Sequence, residues 1–215
     1  MVARAYQPEN LPENEPASPP ASETLTPQEY LRRERAAETR TEFIGGQLYA
    51  MAGASRHHLR LVSSIAYRLS QQLEGSPCEV VTNDLRVRIN QEGDYVYPDV
   101  VVVCGGGEWE DSSFDTLLNP TIIIEVLSSS TAGRDHSDKW LRYQQMPSLT
   151  DYLMVSQHEM RVEHFARQNE NLWLYSIFQA PDATIELPSV NCRLRLSEIY
   201  ERVHFDAPDE EAAAN

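Results

Sequence analysis

The chain has 215 residues and a formal net charge of −15, with 41% hydrophobic, 8% aromatic and 24% charged residues. This composition is typical of a globular protein and excludes a collagen-like or low-complexity chain. The acidity also argues against broad nonspecific attraction to nucleic acid, because phosphate neutralisation requires clustered Lys and Arg.

Both ends of the chain are acidic. Residues 1–24 are rich in Pro, Glu, Ala and Ser and contain one Arg against four Glu, while residues 205–215 contain four acidic residues and neither Lys nor Arg. Such segments bury too little apolar surface to offset the entropy of ordering. We therefore expect a disordered leader over 1–24, a single domain over 25–204 and a disordered acidic tail over 205–215.

Cysteine usage and hydropathy indicate a cytoplasmic protein. Cys78, Cys104 and Cys192 include no CxxC pair and are odd in number, which predicts neither a disulfide framework nor a zinc site. We expect three buried thiols in a reducing compartment. No apolar run approaches the ~20 residues that span a bilayer, and the N-terminus lacks a signal-peptide pattern, so no membrane association is expected.

The first predicted elements are two helices around a hairpin. Thr26, Pro27 and Glu29 form an N-terminal capping pattern for a helix that reaches about Thr39. Two short strands over residues 42–51 flank a Gly-Gly turn. The strongest helix signal follows, with an apolar stripe at three-and-four spacing that ends before Gly75. This stripe consists of Leu59, Val62, Ala66, Leu69 and Leu73.

Strands dominate the remainder of the chain. They are predicted at residues 80–89, 95–104, 121–127, 151–156, 161–167 and 172–178, with a polar connector at 105–119, a helix at 134–146 and a last short helix capped by Ser197. Helices combined with at least one antiparallel pair predict an α/β fold of the α+β kind, a central mixed sheet flanked by helices.

Two carboxylates interrupt the two most apolar predicted strands. If the strands that contain Asp99 and Glu125 pair antiparallel with these residues opposed, Tyr97 lies opposite Leu127. Opposed side chains have Cβ atoms ~4.5–5.5 Å apart, and like charges there are destabilising. A divalent cation relieves the repulsion, since Mg²⁺ binds one or two carboxylates together with water and phosphate oxygens. Solvation of each acid, or pairing with Arg, remains the alternative.

Lys139 is the single lysine among 18 basic residues. In the predicted helix after the second of these strands it lies one turn from Asp135 and one turn from Tyr143, so the three share a face. An ammonium aimed at the carboxylates would orient an attacking water or stabilise charge that develops on phosphorus oxygens. An ordinary surface pair with Asp135 is the alternative, although Arg would serve such a pair equally well.

Several further residues have weaker signals. His57 and His58 begin the long helix and could approach the site, with His57 as an accessory residue, but adjacent residues point in different directions, and a partly exposed helix-end histidine is the simpler interpretation for both. Asp84, Arg86 and Arg88 share one face of a predicted strand that either contacts a phosphate backbone or is solvated.

The motifs together resemble a known family. The succession Tyr97-Pro98-Asp99, then Asn119-Pro120 through Glu125-Val126-Leu127, then Asp135, Lys139 and Tyr143, is similar to the bacterial "putative restriction endonuclease" family of the PD-(D/E)XK nuclease superfamily. Residues 42–51 and His57 fit the same pattern, and the resemblance covers roughly residues 25–204.

The resemblance implies a restriction-endonuclease-like core and Mg²⁺-dependent phosphodiester hydrolysis, most naturally of DNA, with Mn²⁺ as a substitute metal. Asp99 and Glu125 would be the metal ligands, and Glu42 a further catalytic acid. The usual lysine two residues beyond the second acid is replaced by Leu127, so Lys139 would take its role. A homodimer is also implied, because double-strand cleavage commonly uses two active sites.

Two other functions remain open from the sequence. The acidity, the displaced lysine and the lack of an obvious basic patch are compatible with a nuclease-like DNA-binding or assembly module that has little or no catalysis. The carboxylates could also act as an acid/base pair on another substrate without a metal.

Overall fold

The computed structural model describes residues 25–51, 53–127 and 139–205. The predicted leader over 1–24, residues 206–215 of the predicted tail, Asp135 and the first part of the predicted helix 134–146 lie outside the described residues. Within them, no helix is long and apolar enough to cross a membrane.

Helices and strands follow one another in the predicted mixed order. The helices are α1 (Pro27–Ala36), α2 (Arg56–Gln72), α3 (Trp140–Tyr143) and α4 (Leu196–Ile199). The strands are β1 (Thr41–Ile44), β2 (Gln47–Ala50), β3 (Cys78–Thr82), β4 (Arg86–Arg88), β5 (Tyr95–Val96), β6 (Val100–Cys104), β7 (Thr116–Leu117), β8 (Ile122–Leu127), β9 (Asp151–Ser156), β10 (Val162–Asn169), β11 (Leu172–Phe178), β12 (Thr184–Leu187) and β13 (Cys192–Arg195).

The strands form two sheets and a separate hairpin. The larger sheet has the order β11-β10-β9-β8-β6-β3, and the smaller has the order β2-β1-β5-β4-β7. Neighbours are antiparallel except for β8 with β9 and β4 with β7. The hairpin is formed by β12 and β13. The predicted mixed sheet flanked by helices is therefore confirmed.

The larger sheet buries both faces of its central strands, β6, β8 and β9. One face packs against α2, the β12-β13 hairpin and α4, and the other packs against the smaller sheet and the segment from Tyr143 to Leu149. Alternate residues of β6 enter the two cores: Val100 and Val102 face α2, and Val101 and Val103 face the smaller sheet. This double burial explains why β6 and β8 are continuous apolar runs in the sequence.

The predicted strand 95–104 is broken into two strands that belong to different sheets. β5 pairs with β1 and β4, whereas β6 pairs with β8. The break falls at Tyr97, Pro98 and Asp99, where Pro98 lacks the N–H that a central strand would donate. The expected pairing of Tyr97 with Leu127 is therefore wrong, and Asp99 lies at the crossing between the two sheets.

The apolar stripe of α2 was only partly predicted. Val62 and Leu69 are buried, but so are Leu61 and Ile65, while Leu59 is 54% exposed. The buried face is therefore rotated relative to the predicted one. The face that includes Leu59 is left open to solvent.

The C-terminal part contains a hairpin that the sequence did not predict. β12 and β13 pair from Thr184 with Arg195 to Leu187 with Cys192, and a single turn of 3₁₀ helix connects them. The last helix begins after Arg195, so Ser197 lies inside it and is not its cap.

The expectation of three free thiols is also wrong. Cys78 and Cys104 are disulfide-bonded, and Cys192 is the buried free thiol. The physical reason is the β3-β6 register, which places Cys78 directly opposite Cys104. Sequence spacing gave no indication of this, because the two residues are 26 positions apart.

Candidate active site

Lys139 lies between two buried carboxylates. Its Nζ is 2.8 Å from Oε1 of Glu42 and 3.1 Å from Oε1 of Glu125. The three side chains are only 4 to 6% exposed. Glu42 comes from β1, Glu125 from β8, and Lys139 directly precedes α3, so three separate elements supply the cluster. The predicted association of Lys139 with the second acid is therefore present in the structure.

Tyr143 fixes the orientation of Glu125. Its hydroxyl lies 2.9 Å from the same Oε1 that Lys139 contacts. Burial, followed by the negative charge of Glu125, raises the pKa of Tyr143 well above its ordinary value of 10. The phenol is therefore protonated and donates this hydrogen bond. The predicted face shared by Lys139 and Tyr143 is present, since both side chains reach one carboxylate oxygen.

The pairing of β6 with β8 brings Asp99 beside Glu125. The observed register pairs Val100 with Ile124, which is the alignment that the sequence predicted for these strands, and Asp99 directly precedes this ladder. Oδ2 of Asp99 accepts a hydrogen bond of 2.7 Å from the backbone N–H of Val126. Asp99 is thus fixed to the end of the strand that carries Glu125.

His58 is the partner of Asp99 that the sequence did not select. Its Nε2 lies 2.9 Å from Oδ1 of Asp99. Burial of the imidazole lowers the pKa of His58, but the hydrogen bond and charge of Asp99 outweigh burial and leave it above 6.5. His57, the histidine named from the resemblance, instead has its ring edge-on to Phe205, 6.5 Å between centroids.

The N-terminus of α2 explains which histidine reaches the site. The side chain of Ser55 caps the helix by accepting from the backbone N–H of His58, 3.1 Å away, and also donates to Gln157. Ser55 is therefore tied to the loop after β9, which fixes the rotation of the first helical turn. The capping serine is visible in the sequence, but a backbone cap does not indicate which of the two histidine side chains reaches Asp99.

Glu42 is linked to the crossing segment as well as to Lys139. Its Oε1 accepts from the backbone N–H of Tyr97 at 3.4 Å, two residues before Asp99. Lys139, Glu125 and Asp99 are therefore held in one network with Glu42. The network consists of side chains from both sheets, α2 and the start of α3.

Within the described residues, the network contains three carboxylates, those of Glu42, Asp99 and Glu125, together with the ammonium of Lys139 and the imidazole of His58. Buried carboxylates are costly unless cations compensate their charge. The described residues contain no group of three or more His, Cys, Asp or Glu arranged as a metal cage. The donor set suits Mg²⁺ bound by two carboxylates, because that ion retains water and accepts substrate oxygens.

Arg86 does not face a nucleic-acid backbone. It is 3% exposed, and its guanidinium donates to Thr116 and Tyr97 and pairs with Asp115 at 2.8 Å. The alternation that placed Arg86 on a solvated face did not account for α1, which packs on the smaller sheet and brings the ring of Tyr30 within 6.0 Å of the guanidinium. The predicted phosphate contact of Arg86 is therefore wrong.

The other accessory residues lie apart from the central network. Arg88 pairs with Glu110 at 2.9 Å, and its side chain is 30% exposed. Asp84 has a positive φ of 57° in the turn between β3 and β4, and its exposed carboxylate lies 3.7 Å from Arg40. The proposed substrate contact of Arg88 and the accessory role of Asp84 stay predictions.

Comparison with known proteins identifies the class. The fold is similar to a crystal structure described as "a putative nuclease belonging to DUF820" from Anabaena variabilis, with a TM-score of 0.69 and 17% identity, covering 83% of this chain and 99% of that chain. The architecture is thus a restriction-endonuclease-like α+β fold, as the sequence predicted.

The family follows from the sequence matches. The Uma2 model, described as "Putative restriction endonuclease", matches residues 27–197, and the chain belongs to this family. A relative from Synechocystis sp., "Uncharacterized protein sll1609", is 36% identical over 162 residues, 75% of this chain and 92% of its own length. "Uncharacterized protein slr1290" from the same organism is 32% identical over 181 residues, 84% of this chain and 94% of its own length.

Proposed function

We propose that this protein is a Mg²⁺-dependent endonuclease that hydrolyses phosphodiester bonds in DNA. The observation that carries the proposal is the chain's single lysine held between two buried acids, Glu42 and Glu125, with Asp99 bonded to the backbone next to Glu125. Membership of a restriction endonuclease family supports the reaction class. Mn²⁺ is expected to substitute for Mg²⁺.

Asp99 and Glu125 are the proposed metal ligands. When bound there, Mg²⁺ would polarise a phosphoryl oxygen and lower the pKa of a bound water. The hydrogen bond from Val126 N–H fixes one oxygen of Asp99, and His58 holds the other. These contacts restrict the carboxylate of Asp99, and the hydroxyl of Tyr143 restricts that of Glu125, before substrate arrives, which reduces the entropy lost in assembling the site.

Lys139 supplies the positive charge at the reaction centre. Glu42 holds the ammonium from one side and Glu125 from the other, so Lys139 is directed at the position where phosphorane charge would develop. Tyr143 holds Glu125 in the orientation that keeps this contact. Glu42 is in this scheme a positioning residue for the lysine.

The test is cleavage of supercoiled and linear DNA, with an RNA of matched sequence as a second substrate. The wild type should convert DNA in Mg²⁺ or Mn²⁺ and should be inactive in EDTA, and Asp99→Asn and Glu125→Gln should be inactive in every buffer. Arg32→Gln, a change on the exposed face of α1, is the matched control and should cleave normally. Cleavage that survives Asp99→Asn would defeat the proposal.

The burial of the network favours a second candidate, a nuclease-like DNA-binding or assembly module. Glu42, Glu125 and Lys139 already satisfy one another and are almost inaccessible. This candidate predicts DNA binding that needs no metal, is unchanged in Glu125→Gln and is never followed by cleavage. Hydrolysis that survives EDTA would instead favour metal-free acid/base chemistry. A homodimer remains a prediction, which the mass in solution tests.

A further inference from the structure

An open groove of about 650 Å³ runs along the exposed face of α2. Its opposite wall is formed by Ile199 and the segment 201–203. Four arginines line it, although the protein as a whole carries a net charge of −15. They are Arg56, Arg60, Arg68 and Arg202.

The wall that α2 contributes is one continuous helical face. Arg56, Arg60, Ser63 and Tyr67 follow one another at spacings of four, three and four, so they lie above one another on the helix. Tyr67 is 60% exposed, and Leu59 beside this row is 54% exposed. This is the solvent-facing side that results from the rotation of the buried stripe of α2.

Three of the four arginines form no ion pair with a described acidic residue. Arg68 pairs with Glu201 at 2.9 Å and with Glu198 at 3.4 Å. Arg60 donates to the backbone carbonyl of Arg202 at 2.7 Å, which is a neutral partner. Within the described part of the chain, no carboxylate forms an ion pair with Arg56, Arg60 or Arg202.

Most of the described arginines outside the groove form ion pairs with acidic residues. Arg35 pairs with Asp111 and Asp115, Arg86 with Asp115, and Arg88 with Glu110. The groove therefore concentrates uncompensated positive charge, together with an exposed aromatic ring. This combination recognises the phosphates of a nucleic acid through charge and its bases or sugars through stacking and contact.

One end of the groove lies at the start of the helix that also contributes to the candidate active site. Arg56 is the first residue of α2, and His58, two positions later on a different side of the helix, contacts Asp99. From Arg56 to Arg68 the helix rises about 18 Å at 1.5 Å per residue. That length corresponds to roughly five steps of a duplex at 3.4 Å per step on each strand.

We propose that this groove binds the backbone phosphates of DNA. Arg56, Arg60 and Arg202 contact phosphates, and Tyr67 packs against the sugar-base surface. The inference rests on the proposed function for its choice of DNA. It supplies the basic surface that the sequence alone did not reveal.

Binding is measured with the full chain in EDTA, so that cleavage does not interfere. The probe is a fluorescently labelled 25-base-pair DNA duplex, followed by anisotropy between 50 and 200 mM KCl. The variants are Arg56→Gln, Arg60→Gln and Arg202→Gln, singly and together, and the control is Arg32→Gln, which removes the same charge from α1. Thermal melting of each variant confirms that it is folded.

Each phosphate contact contributes about 0.9 to the slope of log K against log salt. Each single variant should therefore bind more weakly, and the magnitude of its slope should be smaller by about 0.9. Raising KCl from 50 to 200 mM should then weaken its binding by a factor that is about 3.5-fold smaller, for each contact removed, than the factor for the wild type. The control should match the wild type. Unchanged affinity and slope in the folded triple variant would overturn the inference, and so would wild-type protein that does not bind the duplex at 50 mM KCl.

Cleavage assays in Mg²⁺ with the same proteins separate the two proposals. If the wild type cleaves and the triple variant cleaves and binds equally well, the groove assignment fails and the proposed function stands. If the wild type binds through the three arginines but never cleaves, the groove assignment stands and the proposed function fails.

Discussion

The ammonium of Lys139 lies 3.1 Å from Oε1 of Glu125, although the two residues are fourteen positions apart in the chain. Leu127 occupies the place two residues after this acid, where nuclease sequences of this kind usually carry the lysine. The structure thus brings an ammonium to the acid from the segment before α3. The side chain of Glu42 completes the arrangement from β1.

Replacing Lys139 should destabilise the fold as well as the site. Lys139→Met leaves the buried acids Glu42 and Glu125 without their shared cation, and breaking a buried pair costs about 3–5 kcal/mol. Urea denaturation measures the free energy of unfolding. The double variant Lys139→Met/Glu42→Gln should recover part of the loss, because one of the two stranded charges is removed. A loss below about 1 kcal/mol for Lys139→Met would show that the buried ion pairs do not form.

His58 and His57 provide an internal comparison. Partners that orient metal ligands typically contribute 10–100-fold in metal affinity or activity. We expect His58→Gln to weaken Mn²⁺ binding by about that factor, because Asp99 loses the contact at 2.9 Å. His57→Gln should bind Mn²⁺ like the wild type. Isothermal titration with Mn²⁺ gives both affinities, and equal values for the two variants would remove His58 from the site.

The hydroxyl group of Tyr143 should by itself make a measurable contribution to stability. Tyr143→Phe retains the ring but removes the hydrogen bond to Glu125. Hydrogen bonds to charged groups contribute about 1.5–3 kcal/mol, so the variant should unfold at correspondingly lower urea concentration. Tyr67→Phe, which changes an exposed phenol, controls for the substitution itself. The same unfolding midpoint for both variants would contradict the assigned hydrogen bond.

Asp115 should make the stability of the fold depend on pH. The hydrogen bond from Arg35, above all, together with the nearby Arg86, lowers the pKa of Asp115 below its ordinary 3.8, although partial burial acts in the opposite direction. A lowered folded-state pKa stabilises the protein above the unfolded-state pKa, and this contribution is lost as the pH falls through the folded-state value.

Asp115→Asn should therefore be less stable than the wild type at pH 7, and the difference should narrow below about pH 4. Urea midpoints at pH 7 and pH 3 measure this change. A difference of equal size at both pH values would mean that the charge of Asp115 is not what stabilises the fold.

The disulfide between Cys78 and Cys104 predicts how many free thiols the protein contains. Unfolded, unreduced protein should contain one reactive thiol, that of Cys192, and reduction should raise the number to three. Thiol titration in denaturant gives the count directly. Three thiols before reduction would contradict the bond between Cys78 and Cys104.

The sequence predicted the parts of the site that depend on strand periodicity. The apolar runs around Asp99 and Glu125 were sufficient to give the β6-β8 register, because only one alignment opposes the two acids. The lone lysine was identified by composition, and the structure places it at Glu125. These features are local or involve only two strands, so a linear pattern contains them.

The errors arose where a third element decides the outcome. Arg86 is buried because α1 packs on the smaller sheet to which its strand belongs, and Leu59 is exposed because the neighbours of α2 select a different face. His58 reaches Asp99 because Ser55 and Gln157 fix the start of α2. Such choices depend on how layers pack, and the strand and helix periods of a single chain do not encode them.

The most direct test of the central claim is a crystal structure of the wild-type protein soaked with Mn²⁺ and measured at a wavelength that gives anomalous signal from manganese. The account predicts one anomalous peak between Asp99 and Glu125, within about 2.5 Å of a carboxylate oxygen of each, with Lys139 still in contact with Glu125. The crystal of Asp99→Asn should lack the peak. A wild-type crystal without manganese at these two carboxylates, under conditions in which the protein cleaves DNA, would contradict the account.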